Sequence, residues 1–367
     1  MGRLRGSYRL TVGERSLEFI VPGDLQSATG GYGYDRRIIA GLRALGWRVT
    51  VRTLDESFPF PTAAALDQAG AVLDTIRDGA LTLIDGLALG AMPQVVSPHS
   101  RRLRIVALVH HPLAAESGLL PNVARELELS EKLSLQSARH VVVTSSATAK
   151  ALAQYDVDRA RISVIQPGTD EAPLSRVNAD GVVNLLCVAT VTPRKGHDVL
   201  IDSLASLAFL PWRLTCVGSL TRSPATVDRL RQKLRDAALG ERVTLVGEMS
   251  ETDVAGHFQS ADLFVLATSY EGYGMAVAEA LAHGLPVVST RTGAIAEMVG
   301  DGAGLLVPPN DADAFREALA QVLRDPALLN SLREGARKAR DKLPRWPASC
   351  ERMAHVLESV SVLESVS

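Results

Sequence analysis

Short apolar runs alternate with amphipathic stretches along nearly the whole chain. Eleven runs have the length and composition of buried strands: Leu17–Val21, Arg48–Leu54, Leu81–Ile84, Arg104–Val109, His140–Thr144 and Ile162–Ile165, then Val183–Val188, Arg213–Val217, Arg242–Val246, Leu263–Ala267 and Pro286–Ser289. Between them, sets such as Ile38, Ile39, Leu42, Leu45 and Val199, Leu200, Leu204, Leu207 repeat at the i, i+3/i+4 spacing of one buried helical face. Strands alternating with helices predict parallel sheets joined by right-handed crossovers.

So many strands exceed one comfortable open sheet. Pro167–Gly181, rich in Pro, Gly, Asp and Asn, reads as a linker between two similar halves. The expected architecture is α/β, two Rossmann-like domains facing across a cleft. Residues 1–175 form the first and 176–345 the second, with 346–367 a C-terminal helix or tail packing back on the first. The chain ends in a near-duplication, Val356-Leu-Glu-Ser-Val-Ser then Val362-Leu-Glu-Ser-Val-Ser, as compatible with a frayed tail as with a function. In such folds ligands sit at the carboxyl ends of strands, so chemistry is sought just after them.

The 367 residues are 46% hydrophobic and 22% charged, ample apolar material for two cores. A net charge of -2 and 4% aromatics argue against nucleic acid as a partner. Cys187, Cys216 and Cys350 are too scattered for a disulfide framework or zinc knuckle, and the first two lie in apolar runs as buried thiols would. Met1–Leu10 has arginines but no apolar run behind them, unlike a signal peptide. The longest apolar candidate for a membrane span, Gly86–Ser100, is interrupted by Pro93 and Pro98. A soluble, cytoplasmic protein is the expectation; the oligomeric state is left open.

The most informative stretch is Ala267-Thr-Ser-Tyr-Glu-Gly-Tyr-Gly-Met-Ala-Val-Ala-Glu-Ala-Leu-Ala-His-Gly-Leu-Pro-Val-Val. It leaves a strand, turns through Gly272 and Gly274, and enters a helix through Met275, Ala276 and Val277. A glycine turn feeding a helix N-terminus offers backbone N–H groups and the positive end of the dipole to an anion. Glu271 and Glu279 bracket it, and carboxylates beside an anion site suit sugar hydroxyls, accepting from two at once. The plainer reading is two solvated glutamates at an ordinary helix start. Glu271 through Glu279, continuing to Val288, resembles the Glu-x7-Glu signature of retaining family-four glycosyltransferases of the GT-B fold.

That resemblance is strong over residues 183–310 and holds only in outline before them. It implies that Glu271 orients the transferred sugar and Glu279 holds the ribose hydroxyls of a nucleotide-diphosphate donor. It places Arg194 and Lys195, at a strand-to-helix junction, on the leaving diphosphate, where a planar fork and a point charge match two phosphates. Gly30 and Gly31 fall at a glycine-rich loop expected before a helix beginning near Tyr34; Arg36 stands where a dinucleotide fingerprint would need its third glycine. His110 matches a histidine that reaches the donor sugar. His111 and Glu116 depart from the usual His-Asp pairing and are acceptor-side candidates, against a metal site or a structural histidine pair. Val246-Gly-Glu-Met249 is implied to meet the base through its backbone.

No metal cluster is visible, and the triplets Asp156-Val-Asp158 and Asp311-Ala-Asp313 fit turns and helix caps. The resulting expectation is a metal-independent, cofactor-free, retaining hexosyltransferase using a UDP- or GDP-sugar. The sugar, the base and the acceptor (small molecule, lipid or glycan) are not specified. A non-hydrolysing nucleotide-sugar epimerase, or a non-catalytic glycosyltransferase-like subunit, are the rivals.

Overall fold

The computed structural model describes residues 15–116, 118–176, 178 and 181–362; the expectation for Met1–Leu10 lies outside them. The first half holds strands β1 (Ser16–Pro22), β2 (Arg48–Leu54), β3 (Leu81–Asp85), β4 (Arg104–Val109), β5 (His140–Val143) and β6 (Ile162–Val164). Helices α1 (Gly30–Ala44), α2 (Ala63–Asp74), α3 (Gly86–Leu89), α4 (Pro93–Val96), α5 (Pro121–Gln136) and α6 (Ser146–Ala151) cover them. The strands pair in parallel in the order β2-β1-β3-β4-β5-β6. Every residue of β3 is buried, as a strand covered on both faces requires.

The second half carries β7 (Val183–Val188), β8 (Trp212–Val217), β9 (Val243–Gly247), β10 (Leu263–Leu266), β11 (Val287–Thr290) and β12 (Gly304–Val307). Its helices are α7 (His197–Ala205), α8 (Pro224–Asp236), α9 (Glu251–Ser260), α10 (Met275–Ala282), α11 (Ile295–Val299), α12 (Ala312–Arg324) and α13 (Pro326–Arg340). The parallel order β12-β11-β10-β7-β8-β9 is the doubly wound arrangement, whose strand order reverses between β7 and β10. The loops after β7 and β10 therefore flank the crevice where a ligand is expected. The last helix, α14 (Trp346–Val362), returns to the first domain and packs on α1, burying Met353, Leu357 and Val360. Up to Val362 this segment is a docked helix, not a frayed tail.

Two expectations need correction, and the reading of the Asp triplets as turns and caps holds. β12 was absent from the expected strands: Gly304-Leu-Leu-Val is short, and its glycine lies so close to β11 that a Cβ there would sit 2.0 Å from the Val287 carbonyl oxygen. The first helix begins at Gly30 rather than near Tyr34, so Gly30 and Gly31 form its first turn, with Thr29 as N-cap accepting from the Tyr32 amide. The two Asp triplets are local: Asp158 and Asp311 cap helical turns, Asp156 ends one in the left-handed region, and Asp313 pairs with Arg316 one turn on.

Candidate active site

The carboxyl ends of both sheets meet across a cleft. Gly272 sits against the other domain so closely that a Cβ would lie 2.4 Å from the carbonyl oxygen of His110. The Tyr270 and His111 rings lie 6.0 Å apart across the same boundary. Arg194 Nε donates to Glu116 Oε1 at 3.0 Å, joining the loop after β7 to the first domain. His111 Nε2 is 3.6 Å from the other carboxylate oxygen of Glu116.

The loop after β7 is built onto the loop after β10. The Ser269 amide and the Thr268 hydroxyl both donate to the Arg194 carbonyl, at 2.8 and 3.1 Å. Arg194 Nη1 in turn donates to the Tyr270 carbonyl at 2.9 Å. This lattice delivers three charges to one place. Lys195 Nζ donates to Glu271 Oε1, and Arg194 Nη1 stands 3.6 Å from the same oxygen. The side chains of Arg194, Lys195 and Glu271 are only 17%, 18% and 9% exposed, so they are not a solvated face. Burial works against the Glu271 charge, but Lys195 and then Arg194 outweigh it and hold the carboxyl below the usual carboxylate range.

Beside this triad, α10 follows Gly274 at its N-cap, whose φ of +98° is a conformation side chains rarely adopt, and no side chain caps the helix. The Val277 and Ala278 amides bond back to the Gly274 carbonyl. Val277 therefore spends its amide inside the turn. The amides of Met275 and Ala276 precede those bonds and mark the helix's positive end. Glu279 is partly buried one turn on, and among the described residues its carboxylate has no hydrogen-bond or ion-pair partner. Burial first, and then the charges of Glu251 and Asp170, push it up to about 7.

In the first domain His110 is turned inward. Its Nε2 lies 3.2 Å from Asp35 on α1 and 3.4 Å from Asp85 at the end of β3, with the Tyr34 ring edge-on at 5.4 Å. Both carboxylates are buried, and Asp85 also caps α3 by accepting from the Leu87 amide. Burial opposes a charged ring, yet Asp35 and Asp85 together raise His110 well above the ordinary histidine value. Burial likewise raises Asp35, with Asp85 adding to it against the pull of the imidazolium. Gly31 packs on this ring, a Cβ there falling 3.4 Å from Cδ2, and Gly30 faces Met275 across the cleft. Sequence spacing gave no sign of Asp35 or Asp85; a carboxylate on the first helix and one at a strand end were the available signals. Asp35, Asp85 and His110 also bring donor atoms within 4.8 Å of one another, as do Cys187, His197 and Cys216. Clusters of metal-ligating type therefore exist that the linear sequence did not display.

Two cavities open on the cleft. One of about 510 Å³ is lined by Gln26, Ser27 and Ala28 from the first domain and by Ser219, Arg222 and Met249 from the second. The other, about 520 Å³, lies between Pro112, Ala115, Arg125 and Gln154 of the first domain, with Tyr270 entering from the second.

Residues 36–172 match the family model for glycosyltransferase family 4, and residues 175–339 match that for glycosyl transferases group 1. The chain belongs to the family-four glycosyltransferases. A D-inositol 3-phosphate glycosyltransferase of Pseudarthrobacter chlorophenolicus is 30% identical over 230 residues, covering 59% of this chain and 54% of that protein. The lipopolysaccharide core mannosyltransferase LpsB of Rhizobium meliloti is 33% identical over 147 residues, covering 38% and 41% of the two chains. This family-four chain thus spans about half the length, or less, of these curated relatives. A sucrose-phosphate synthase from Thermosynechococcus elongatus superposes with a TM-score of 0.80 at 23% identity, covering 96% of this chain and all of that one. Anabaena HepE, solved with UDP and glucose, gives 0.72 at 17% identity over 94% of this chain and 99% of its own. These likenesses establish the GT-B fold. Among the described residues no helix is long and apolar enough to cross a membrane.

Proposed function

We propose that the cleft binds a nucleotide-diphosphate sugar and transfers its hexose, with retention of configuration, to an acceptor hydroxyl. The observation that carries this reading is the convergence of Arg194 and Lys195 on Glu271, beside the uncapped start of α10. Two cations and two helix-end amides make a counter-charge for a departing diphosphate, and catalysis comes mainly from stabilising that charge as it grows. Glu271 aligns the transferred sugar. Glu279 accepts from the ribose hydroxyls, and the cavity at Met249 receives the base. His110 offers the sugar a charged ring through its outer edge.

Retention follows from departure and attack on one face of the sugar. The leaving phosphate oxygen takes the acceptor proton, so no separate protein base is required. The acceptor enters through the cavity at Tyr270 and Arg125, past His111 and Glu116, to which it presents its hydroxyl. The relatives that transfer to D-inositol 3-phosphate or transfer mannose in lipopolysaccharide core synthesis support a polyol or glycan acceptor. Incubation with a panel of UDP- and GDP-sugars tests the reading. Free nucleoside diphosphate, from transfer or slow hydrolysis, is expected; an epimerised nucleotide sugar with no release points to the isomerase instead.

A further inference from the structure

Behind the Arg194–Lys195 loop lies a cluster that the cleft does not use. Cys187 on β7 and Cys216 on β8 are register partners on adjacent parallel strands, so both side chains leave the same face of the sheet. His197, the first residue of α7, closes over them with its Nε2 3.7 Å from the Cys187 sulfur. One donor atom from each residue lies within 4.8 Å of the other two. The three residues are 1%, 2% and 2% exposed. The His197 Nδ1 is buried with no hydrogen-bond partner, so the polar contact this ring makes is the one from Nε2 to Cys187.

We propose that Cys187, Cys216 and His197 form a binding site for one thiophilic metal ion, with Zn²⁺ the divalent ion that suits the donor set. The spacing carries the argument. Zn–S bonds of about 2.3 Å and Zn–N bonds of about 2.0 Å at tetrahedral angles separate sulfur from nitrogen by about 3.5 Å and two sulfurs by about 3.8 Å. The observed sulfur–nitrogen separation of 3.7 Å matches that edge. Two thiols with an imidazole select soft or borderline ions over Mg²⁺ and Mn²⁺, which prefer oxygen. Three ligands leave a fourth position for one water.

The role is structural. Cys187 is the next-to-last residue of β7 before the loop and His197 the first of α7 after it, so an ion there clamps the base of the segment that presents Arg194 and Lys195. This holds whatever reaction the cleft performs.

The test strips the full-length protein with a chelator under a thiol reductant and titrates it with Co²⁺, then Zn²⁺. One equivalent of Co²⁺ should produce thiolate-to-cobalt charge-transfer absorption with tetrahedral d–d bands, and Zn²⁺ should abolish both. Cys216→Ser and His197→Ala should lose the bands, while Cys350→Ala, altered in the other domain's core, should keep one equivalent. Reduced wild type without thiolate bands overturns the proposal, even if the cluster variants fail to fold. So do bands that survive Cys187→Ser, or a Cys187–Cys216 disulfide in protein whose reduced form takes up no metal.

Discussion

Lys195 Nζ and Glu271 Oε1, separated by 76 residues of sequence, meet as an ion pair at the junction of the loops after β7 and β10. Arg194 stands 3.6 Å from the same oxygen, so one carboxylate faces two cations. Glu116 also pairs with Arg194, through Nε at 3.0 Å, so two carboxylates balance the two cations until a ligand arrives, in a partly buried place where charges interact more strongly than in water. Glu271 also holds the two cations in position before a ligand arrives, so binding need not assemble them.

Arg194→Ala and Lys195→Ala should each weaken a nucleoside diphosphate about tenfold or more, the worth of one charge-assisted hydrogen bond. The free nucleoside should bind as it does to wild type. Calorimetry with both ligands separates the cases, and full diphosphate affinity in either variant would place the diphosphate elsewhere. Both variants should also lose kcat, because the leaving charge grows toward the transition state.

Glu271→Gln should lower kcat strongly without weakening the nucleoside diphosphate. Removing the carboxylate leaves Lys195 without its partner while Arg194 keeps Glu116, so the diphosphate meets a site more positive by one charge. An unchanged kcat with a raised KM would mean that Glu271 contributes only uniform binding.

The carboxyl of Glu279, raised to about 7, should make donor binding pH-dependent. If the ionised form accepts from the ribose, affinity rises with pH through that value and levels off above it. Glu279→Gln should bind more weakly and flatten the profile. The sign for stability is opposite. The folded carboxyl keeps its proton to higher pH than the unfolded one, so this contribution is full below the ordinary glutamate range and is lost as pH rises toward 7. Thermal shifts without ligand and donor titrations across the same range should therefore slope in opposite directions.

His110, raised by Asp35 and Asp85, should stay protonated across neutrality, its ring resonances unchanged from pH 6 to 8 by NMR, about the span over which a free imidazole titrates. Asp35→Asn removes the nearer carboxylate and should bring the transition down into that window. A wild-type ring titrating near the ordinary value would show that the two carboxylates do not hold its proton. The stabilisation linked to this raised histidine is present below the ordinary histidine value and lost as pH climbs through the folded one.

Nucleoside diphosphate affinity should be the same with and without added Mg²⁺ or Mn²⁺, since Arg194, Lys195 and the α10 terminus supply the counter-charge. Affinity that needs a hard divalent ion would move the diphosphate toward an acidic ligand set such as Asp35 and Asp85.

What the sequence by itself determined was whatever is written contiguously. Apolar runs and helical spacing report burial, which is periodic along the chain, and they located eleven of the twelve strands found among the described residues. The escape of β12 is physical: four residues opening on a glycine carry too little periodicity to register. The stretch from Glu271 to Val288 was legible because strand end, glycine turn and helix start follow one another directly. Tertiary structure alone decided which side chains converge. The partners of Glu271 come from another loop, those of His110 from α1 and β3, and those of Cys187 from β8 and α7. No local pattern encodes such meetings, because they depend on where parallel strands end relative to one another and on how closely two domains approach.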